Sequence, residues 1–198
     1  MMFRTLLASL LVIATLLVSA CSQQDSSKSE PAPAKAAKQA ISLETIAAQA
    51  KGFTVGSMMS ANTVYVFFDA QCPHCGHLWQ ASLPLHKKAK FQWIPVAWIN
   101  ASSLTQGAAL LASADPMALM TEHEASLLGG RGGIAASASV PAEVEQSIKA
   151  NTQLLGSFGA ESVPYVVAKN MRTGETRGRE GALTTQALAD LIGVDATP

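Results

Sequence analysis

The spacing of apolar positions changes several times along the chain. Leu6 to Val18 is apolar throughout except for Ser9 and Thr15, and at 13 residues it falls short of the roughly 20 needed to cross a bilayer. It matches instead the roughly 7 to 15 residues of a signal-peptide core. Between Ser22 and Ala40 there is no aromatic residue and no aliphatic one larger than Ala. Such a stretch cannot bury enough surface to offset its ordering entropy. Its 19 residues predict a tether of roughly 25 Å as a coil, or about 60 Å fully extended.

Helical spacing then appears at Leu43, Ile46, Ala47 and Ala50, with Ser42 placed to cap the start and Gly52 to end the helix. Thr63 to Phe68 is an unbroken β-branched and aromatic run, which predicts a strand buried on both faces. A helix is predicted from Pro73 toward Lys88, kinked at Pro84. Phe91 to Asn100 reads as a second strand, with Pro95 implying a bulge or an edge. Residues 103–160 are Ala-rich and helical, with Leu104, Ala108 and Leu111 on one face, Met117 and Met120 on another, and later Val144, Ile148 and Leu155. Gly129 to Gly133 divides them as a plain linker that fits no phosphate-binding pattern. Val163 to Lys169 and Glu175 to Glu180 predict a hairpin around a turn at Asn170 to Gly174, followed by a closing helix over Thr184 to Ile192.

Composition narrows the functional classes. The 14 basic and 14 acidic residues cancel and charged residues make up only 14%, which leaves no electrostatic footprint for nucleic acid. Hydrophobic residues at 48% suffice for a core, and three cysteines are too few for a disulfide-stapled miniprotein. The apolar N-terminal run ends in Val18-Ser-Ala-Cys21, which resembles the lipobox of bacterial lipoproteins. That resemblance makes Cys21 a lipid attachment site. Ser22 after it implies the outer rather than the inner membrane, with the domain in the periplasm. The alternative is an ordinary signal cut after Ala20 that leaves Cys21 a free thiol. The resulting organisation is a lipoprotein signal peptide at 1–20, a tether at 21–41 and a catalytic domain at 42–198.

The remaining two cysteines carry the chemistry. The strand runs directly into Cys72-Pro-His-Cys75 at a helix start, where unpaired backbone N–H groups and the positive dipole end stabilise a thiolate at Cys72. Cys75 lies within reach to resolve a mixed disulfide on Cys72. Pro73 and His74 tune the pair, His74 by adding positive charge that favours the reduced form. A static disulfide would be a poor staple, because loop-closure stabilisation is small for so short a loop. Half of a zinc site with His77 and His86 lacks a second closely spaced ligand pair, which leaves those two as solvated helix positions, and His123 adds no pattern.

Val64-Tyr-Val-Phe-Phe-Asp-Ala-Gln-Cys72-Pro-His-Cys75, followed by Trp79, Pro84, a helical stretch and Val163-Pro164, resembles the catalytic domain of the DsbC/DsbG family of periplasmic thiol:disulfide interchange proteins, most closely its DsbG branch. The resemblance spans roughly residues 60–193. It implies an α/β thioredoxin fold, a central mixed sheet flanked by helices, with a helical insertion at about 103–160. It also implies that Pro164 is cis and that Val163, Pro164 and Tyr165 contact substrate. Two features depart from that branch and resemble the oxidase DsbA, namely Pro73-His74 and the Val before Pro164. Val66 stands where thioredoxin and DsbA carry a buried carboxylate. Between Cys21 and the first core strand there are only about 40 residues, too few for the family's dimerisation domain, which implies a monomer.

The function expected is disulfide exchange on protein cysteines, with no metal and no organic cofactor, through a DsbD-like donor if the chain is a reductase or a DsbB-like acceptor if it is a DsbA-like oxidase. A rival of another class is a copper chaperone using Cys72, Cys75 and His77.

Overall fold

The computed structural model describes residues 38–196. The signal peptide, Cys21 and most of the tether lie outside them. Along the chain come α1 (Leu43–Gln49), β1 (Phe53–Gly56), β2 (Thr63–Asp69), α2 (Pro73–Ser82), β3 (Lys90–Val96), α3 (Ala101–Leu111), α4 (Pro116–Leu128), α5 (Ala142–Ser157), β4 (Tyr165–Lys169), β5 (Thr176–Glu180) and α6 (Thr185–Ile192). The strands form one mixed sheet in the order β1-β3-β2-β4-β5. β2 and β3 run parallel, and the other neighbours are antiparallel.

The period of two along β2 sorts its side chains between two cores. Val64, Val66 and Phe68 join Cys72, Cys75, Trp79, Met120 and Leu188 on one face, while Tyr65 and Phe67 join Ile46, Leu154 and Leu155 on the other. Helices α2, α4 and α6 therefore cover the cysteine face, and α1 and α5 cover the opposite one. The continuous apolar run that predicted a doubly buried strand has this cause. The rings of Trp79, Trp93 and Phe68 meet edge to face at 5.2 and 5.5 Å, each pair worth about 0.5–1.5 kcal/mol beyond simple burial. They lock α2 onto the sheet, so the helix that carries the cysteines has a fixed seat.

Ser42 caps α1 as its sequence predicts, its hydroxyl accepting from the Thr45 amide, and Thr184 proves to be the cap of α6, accepting from the Ala187 amide. α2 ends at Ser82, earlier than the kinked helix to Lys88, and a single 3-10 turn at Leu83–Leu85 takes Pro84. The four residues of β1 were not anticipated, being too short to show a period. β3 is interior, yet its pairing with β1 stops at Trp93. Pro95 lies past that end, so it removes no ladder hydrogen bond on that side, and this is the sense in which it is an edge residue.

Candidate functional site

Cys72 is the N-cap of α2, with extended backbone (φ −98°, ψ 110°), and Pro73 opens the helix. Its amide donates to the Asp69 carbonyl at 3.0 Å, while its own carbonyl accepts from the Cys75 amide at 2.9 Å. This turn brings the two sulfurs to one end of the helix, both buried and both free thiols. Asp69, fully buried at the end of β2, holds the turn from beneath. One carboxylate oxygen accepts from the Gln71 amide at 2.8 Å, and the other from the Trp98 and Ile99 amides at 2.7 and 3.0 Å.

The two thiols are driven apart in acidity. Cys72 is lowered to about 6, first by the hydrogen bond from the Cys75 thiol, then by the backbone amides of Cys75 and His74, and last by the charge of His74; burial opposes them. Cys75 is pushed well above its ordinary value, first by burial and then by its neighbour Cys72. Of the two, Cys75 therefore holds its proton the more tightly, and Cys72 is the thiol disposed to ionise at neutral pH. His74 contributes less than the sequence suggested. Its side chain is exposed, as are those of Pro73 and His77.

The Cys72 sulfur lies 3.5 Å from the carbonyl oxygen of Val163. The Val163-Pro164 peptide bond is cis. That loop is held by its neighbour β5: Glu180 accepts from the Glu161 amide at 2.9 Å and from the Ser162 hydroxyl at 3.2 Å, and the Gly181 amide donates to the Pro164 carbonyl at 2.8 Å. The Tyr165 side chain does not reach the cysteines. Strand alternation turns it into the opposite core with Tyr65 and Phe67, so of the three loop residues it is Val163, through its carbonyl, that meets Cys72.

Sequence reasoning missed the groups that the insertion brings to the pair. Gly129 to Gly133 is no plain linker: the Gly132 carbonyl accepts from Gln71 at 3.0 Å and from Gln106 at 2.8 Å, and Gln106 also donates to the Ile134 carbonyl at 2.8 Å. Gln71 and Gln106 are themselves hydrogen-bonded. Gly133 has φ +89°, and a Cβ there would sit 2.5 Å from the His123 ring. His123 is fully buried. Its Nδ1 accepts from the Ile134 amide at 3.2 Å, so its Nε2 donates to the Ala70 carbonyl at 2.7 Å, and burial lowers its pKa.

Beside it on α4, Glu124 is 1% exposed and neither carboxylate oxygen has a hydrogen-bond partner. Its pKa is raised to about 8, first by burial and then by the charge of Cys72. A Cβ on Gly76 would lie 2.5 Å from a Glu124 oxygen, which shows how closely this carboxyl approaches the residue bonded to Cys75. The signal was present in the spacing. Glu124 lies four residues after Met120 and four before Leu128, an acid on an apolar helix face.

His86 was expected to be a solvated helix position. Its ring instead packs against Trp79 and Phe91 at 5.6 and 5.2 Å, and burial lowers its pKa to about 4. Among the described residues no three His, Cys, Asp or Glu side chains gather into a metal-binding group.

No protein-family model matches the chain. It is similar to the thiol:disulfide interchange protein DsbG of Pseudomonas aeruginosa, 31% identical over 140 residues, covering 70% of this chain and 54% of that protein. To DsbG of Escherichia coli it is 34% identical over 105 residues, 52% of this chain and 42% of the relative. The chain thus spans about half the length of the DsbG proteins it matches. A periplasmic thioredoxin-like protein from Salmonella enterica serovar Typhimurium superposes with a TM-score of 0.59 at 15% identity, covering 78% of this chain and 97% of that one. The catalytic domain of Proteus mirabilis ScsC does so with a TM-score of 0.57 at 14% identity, covering 75% and 95%. The chain is a DsbG homologue with an α/β, thioredoxin-like fold.

Proposed function

We propose that this chain is a periplasmic thiol:disulfide interchange protein that acts on cysteines of other proteins. The observation that carries it is the divided acidity of the pair, a Cys72 thiol lowered to about 6 beside a Cys75 raised well above its ordinary value, facing the Val163 carbonyl. The Cys72 thiolate attacks one sulfur of a substrate disulfide, forming a mixed disulfide and expelling the other substrate sulfur as thiolate. Cys75 gives up its proton and attacks Cys72, forming the Cys72-Cys75 bond and releasing the second substrate thiolate. The substrate gains two electrons and the pair loses two. Run backwards, the same steps oxidise a dithiol. The Val163-Pro164 loop, pinned by Glu180, presents backbone beside Cys72 against which an extended substrate strand can lie.

The DsbG likeness supports the reductase or interchange direction, with a DsbD-like membrane donor. The stabilised Cys72 thiolate favours the opposite direction, because a dithiol stable when reduced is a strong oxidant when oxidised, and a DsbB-like acceptor would then recharge it. The lipobox supports a lipid anchor at Cys21 in the outer membrane. A copper-chaperone role finds no third ligand near the pair among the described residues.

The test is alkylation trapping of the chain in cells, alongside reduction of insulin by the purified protein. A mostly reduced pair supports the reductase direction and a mostly oxidised pair the oxidase one. Insulin reduction unchanged by Cys72→Ser overturns the redox reading altogether. Palmitate labelling that survives Cys21→Ser removes the anchor.

A further inference from the structure

The groups described so far leave Glu124 without a role. It is buried, it accepts no hydrogen bond, and it belongs to the insertion rather than to the sheet. A carboxyl removed from water without partners costs stability and returns none in structure. A buried titratable group of this kind beside reacting atoms points to chemistry.

Its surroundings define what it can do. From α2 it faces the cysteine end, where a Gly76 Cβ would meet its oxygen at 2.5 Å, and its charge acts on Cys75 while that of Cys72 acts on it. The histidines of α2, His74 and His77, are exposed. Of the elements packed most closely on α4 besides α2, neither α3 nor β1 contains a titratable side chain. On α4 itself, His123 is committed to Ala70 and Ile134. The buried Asp69 is likewise committed, to the Gln71, Trp98 and Ile99 amides, so within the described site Glu124 feels the charge of Cys72 and acts in turn on Cys75.

We infer that Glu124 is the proton acceptor and donor for Cys75 during resolution of the mixed disulfide, a role supplied here by the helical insertion. The inference rests on the exchange reading above. In the forward step the Cys75 S–H bond breaks and its proton passes to the Glu124 carboxylate, the two groups, not hydrogen-bonded in the reduced pair, coming within reach as the mixed disulfide forms. The Cys75 electron pair forms the bond to Cys72, and the substrate sulfur leaves with the pair from the broken Cys72–substrate bond. In reverse, protonated Glu124 returns the proton to Cys75 as its bond to Cys72 breaks. No outside reagent is needed.

The timing is set by charge. While Cys72 is a thiolate, its negative charge and burial both keep the Glu124 proton on. Forming the mixed disulfide erases that charge while burial remains, so Glu124 becomes a stronger acid and its carboxylate form more populated when Cys75 must be deprotonated. Closing the Cys72-Cys75 bond delivers the proton to Glu124, which, with no thiolate beside it, exchanges it with solvent more readily than in the reduced pair.

The test follows single-turnover reaction of the reduced full chain with a disulfide-bonded peptide, quenched in acid and alkylated so that mixed disulfide and closed pair separate by mass. In Glu124→Gln, resolution is expected to slow by about tenfold or more at pH 7. Its rate should then climb with hydroxide across pH 6–9 without the plateau of the wild type. The first step, isolated in a Cys75→Ser background, should change by less than about twofold. Resolution within about twofold of the wild type, with the same pH profile, overturns the inference while leaving the exchange reading intact. Absence of any mixed disulfide in the wild type overturns both. A second measurement needs no change at Glu124: its carboxyl is titrated by carbon NMR in Cys75→Ser before and after Cys72 is capped as a methyl disulfide. The titration should move to lower pH on capping, and an unmoved titration rejects the inference.

Discussion

At the scale of the residue, the proposed exchange rests on one proton having two unequal homes. The pKa of Cys72, lowered to about 6, predicts that its alkylation rate is flat above about pH 6 and falls about tenfold per unit below it, against a break near 8.5 for an ordinary cysteine. Iodoacetamide kinetics on the reduced protein check this. The order of causes gives a sharper form. The Cys75 thiol is the largest influence and His74 the smallest, so Cys75→Ala should move the break upward by more than His74→Ala. The reverse ranking would return control to the histidine. Both cysteines and the helix start were readable because a Cys-x-x-Cys after a buried strand is a local pattern. Glu124 was not, because proximity between α4 and α2 is a product of packing. Only its place on an apolar face hinted at burial.

At the scale of the element, the cysteine turn is held by three neighbours that the chain supplies from distant positions. The insertion grips it through Gln71, Gln106 and the Gly132 carbonyl. The loop after β3 caps Asp69, and β5 pins the Val163-Pro164 loop through Glu180. The two Glu180 hydrogen bonds are exposed, so each is worth at the low end of about 0.5–1.5 kcal/mol. Glu180→Ala should therefore weaken capture of a protein substrate by roughly threefold to tenfold. It should leave the Cys72 alkylation profile where it is, since Glu180 does not act on that sulfur. Steady-state insulin reduction separates the two: a raised KM with an unmoved thiol break is the expected result, and a shifted break would mean that the loop sets the acidity as well. Helices with clear periods and caps, α1 and α6 among them, were legible from sequence. The Gly129 to Gly133 segment was misread, because its glycines suggest slack in sequence whereas its carbonyls are hydrogen-bonded in the fold.

At the scale of the whole molecule, the α/β class was implied by the resemblance to the DsbC/DsbG family, while the strand leading into the cysteines followed from an apolar run. Which face each helix covers did not, because strand order is set by long-range pairing. That order puts Cys72, Cys75 and Glu124 in one buried neighbourhood, so the reduction potential belongs to the three together. Reducing the disulfide takes two electrons and as many protons as the sulfurs keep, and each proton tilts the potential by about 30 mV per pH unit. Below about 6 both sulfurs are protonated, giving a slope of about −59 mV per unit. Above it Cys72 is a thiolate and Cys75 alone keeps a proton, so the limiting slope is about −30 mV per unit. Glu124 intervenes between these limits. The thiolate raises its pKa in the reduced form to about 8, and the disulfide lacks that charge, so reduction draws an extra fraction of a proton up to about pH 8. Equilibration with glutathione from pH 5 to 9 should show a slope that relaxes gradually in the wild type and breaks once, near 6, in Glu124→Gln. A slope of about −59 mV per unit persisting to pH 8 in both proteins would mean that Cys72 is an ordinary thiol. A single sharp break in both would mean that Glu124 is not coupled to the pair. The thiolate makes the pair a better oxidant and the buried acid moderates it, so the gap between the two curves measures how far the insertion shifts the protein between the two directions of exchange.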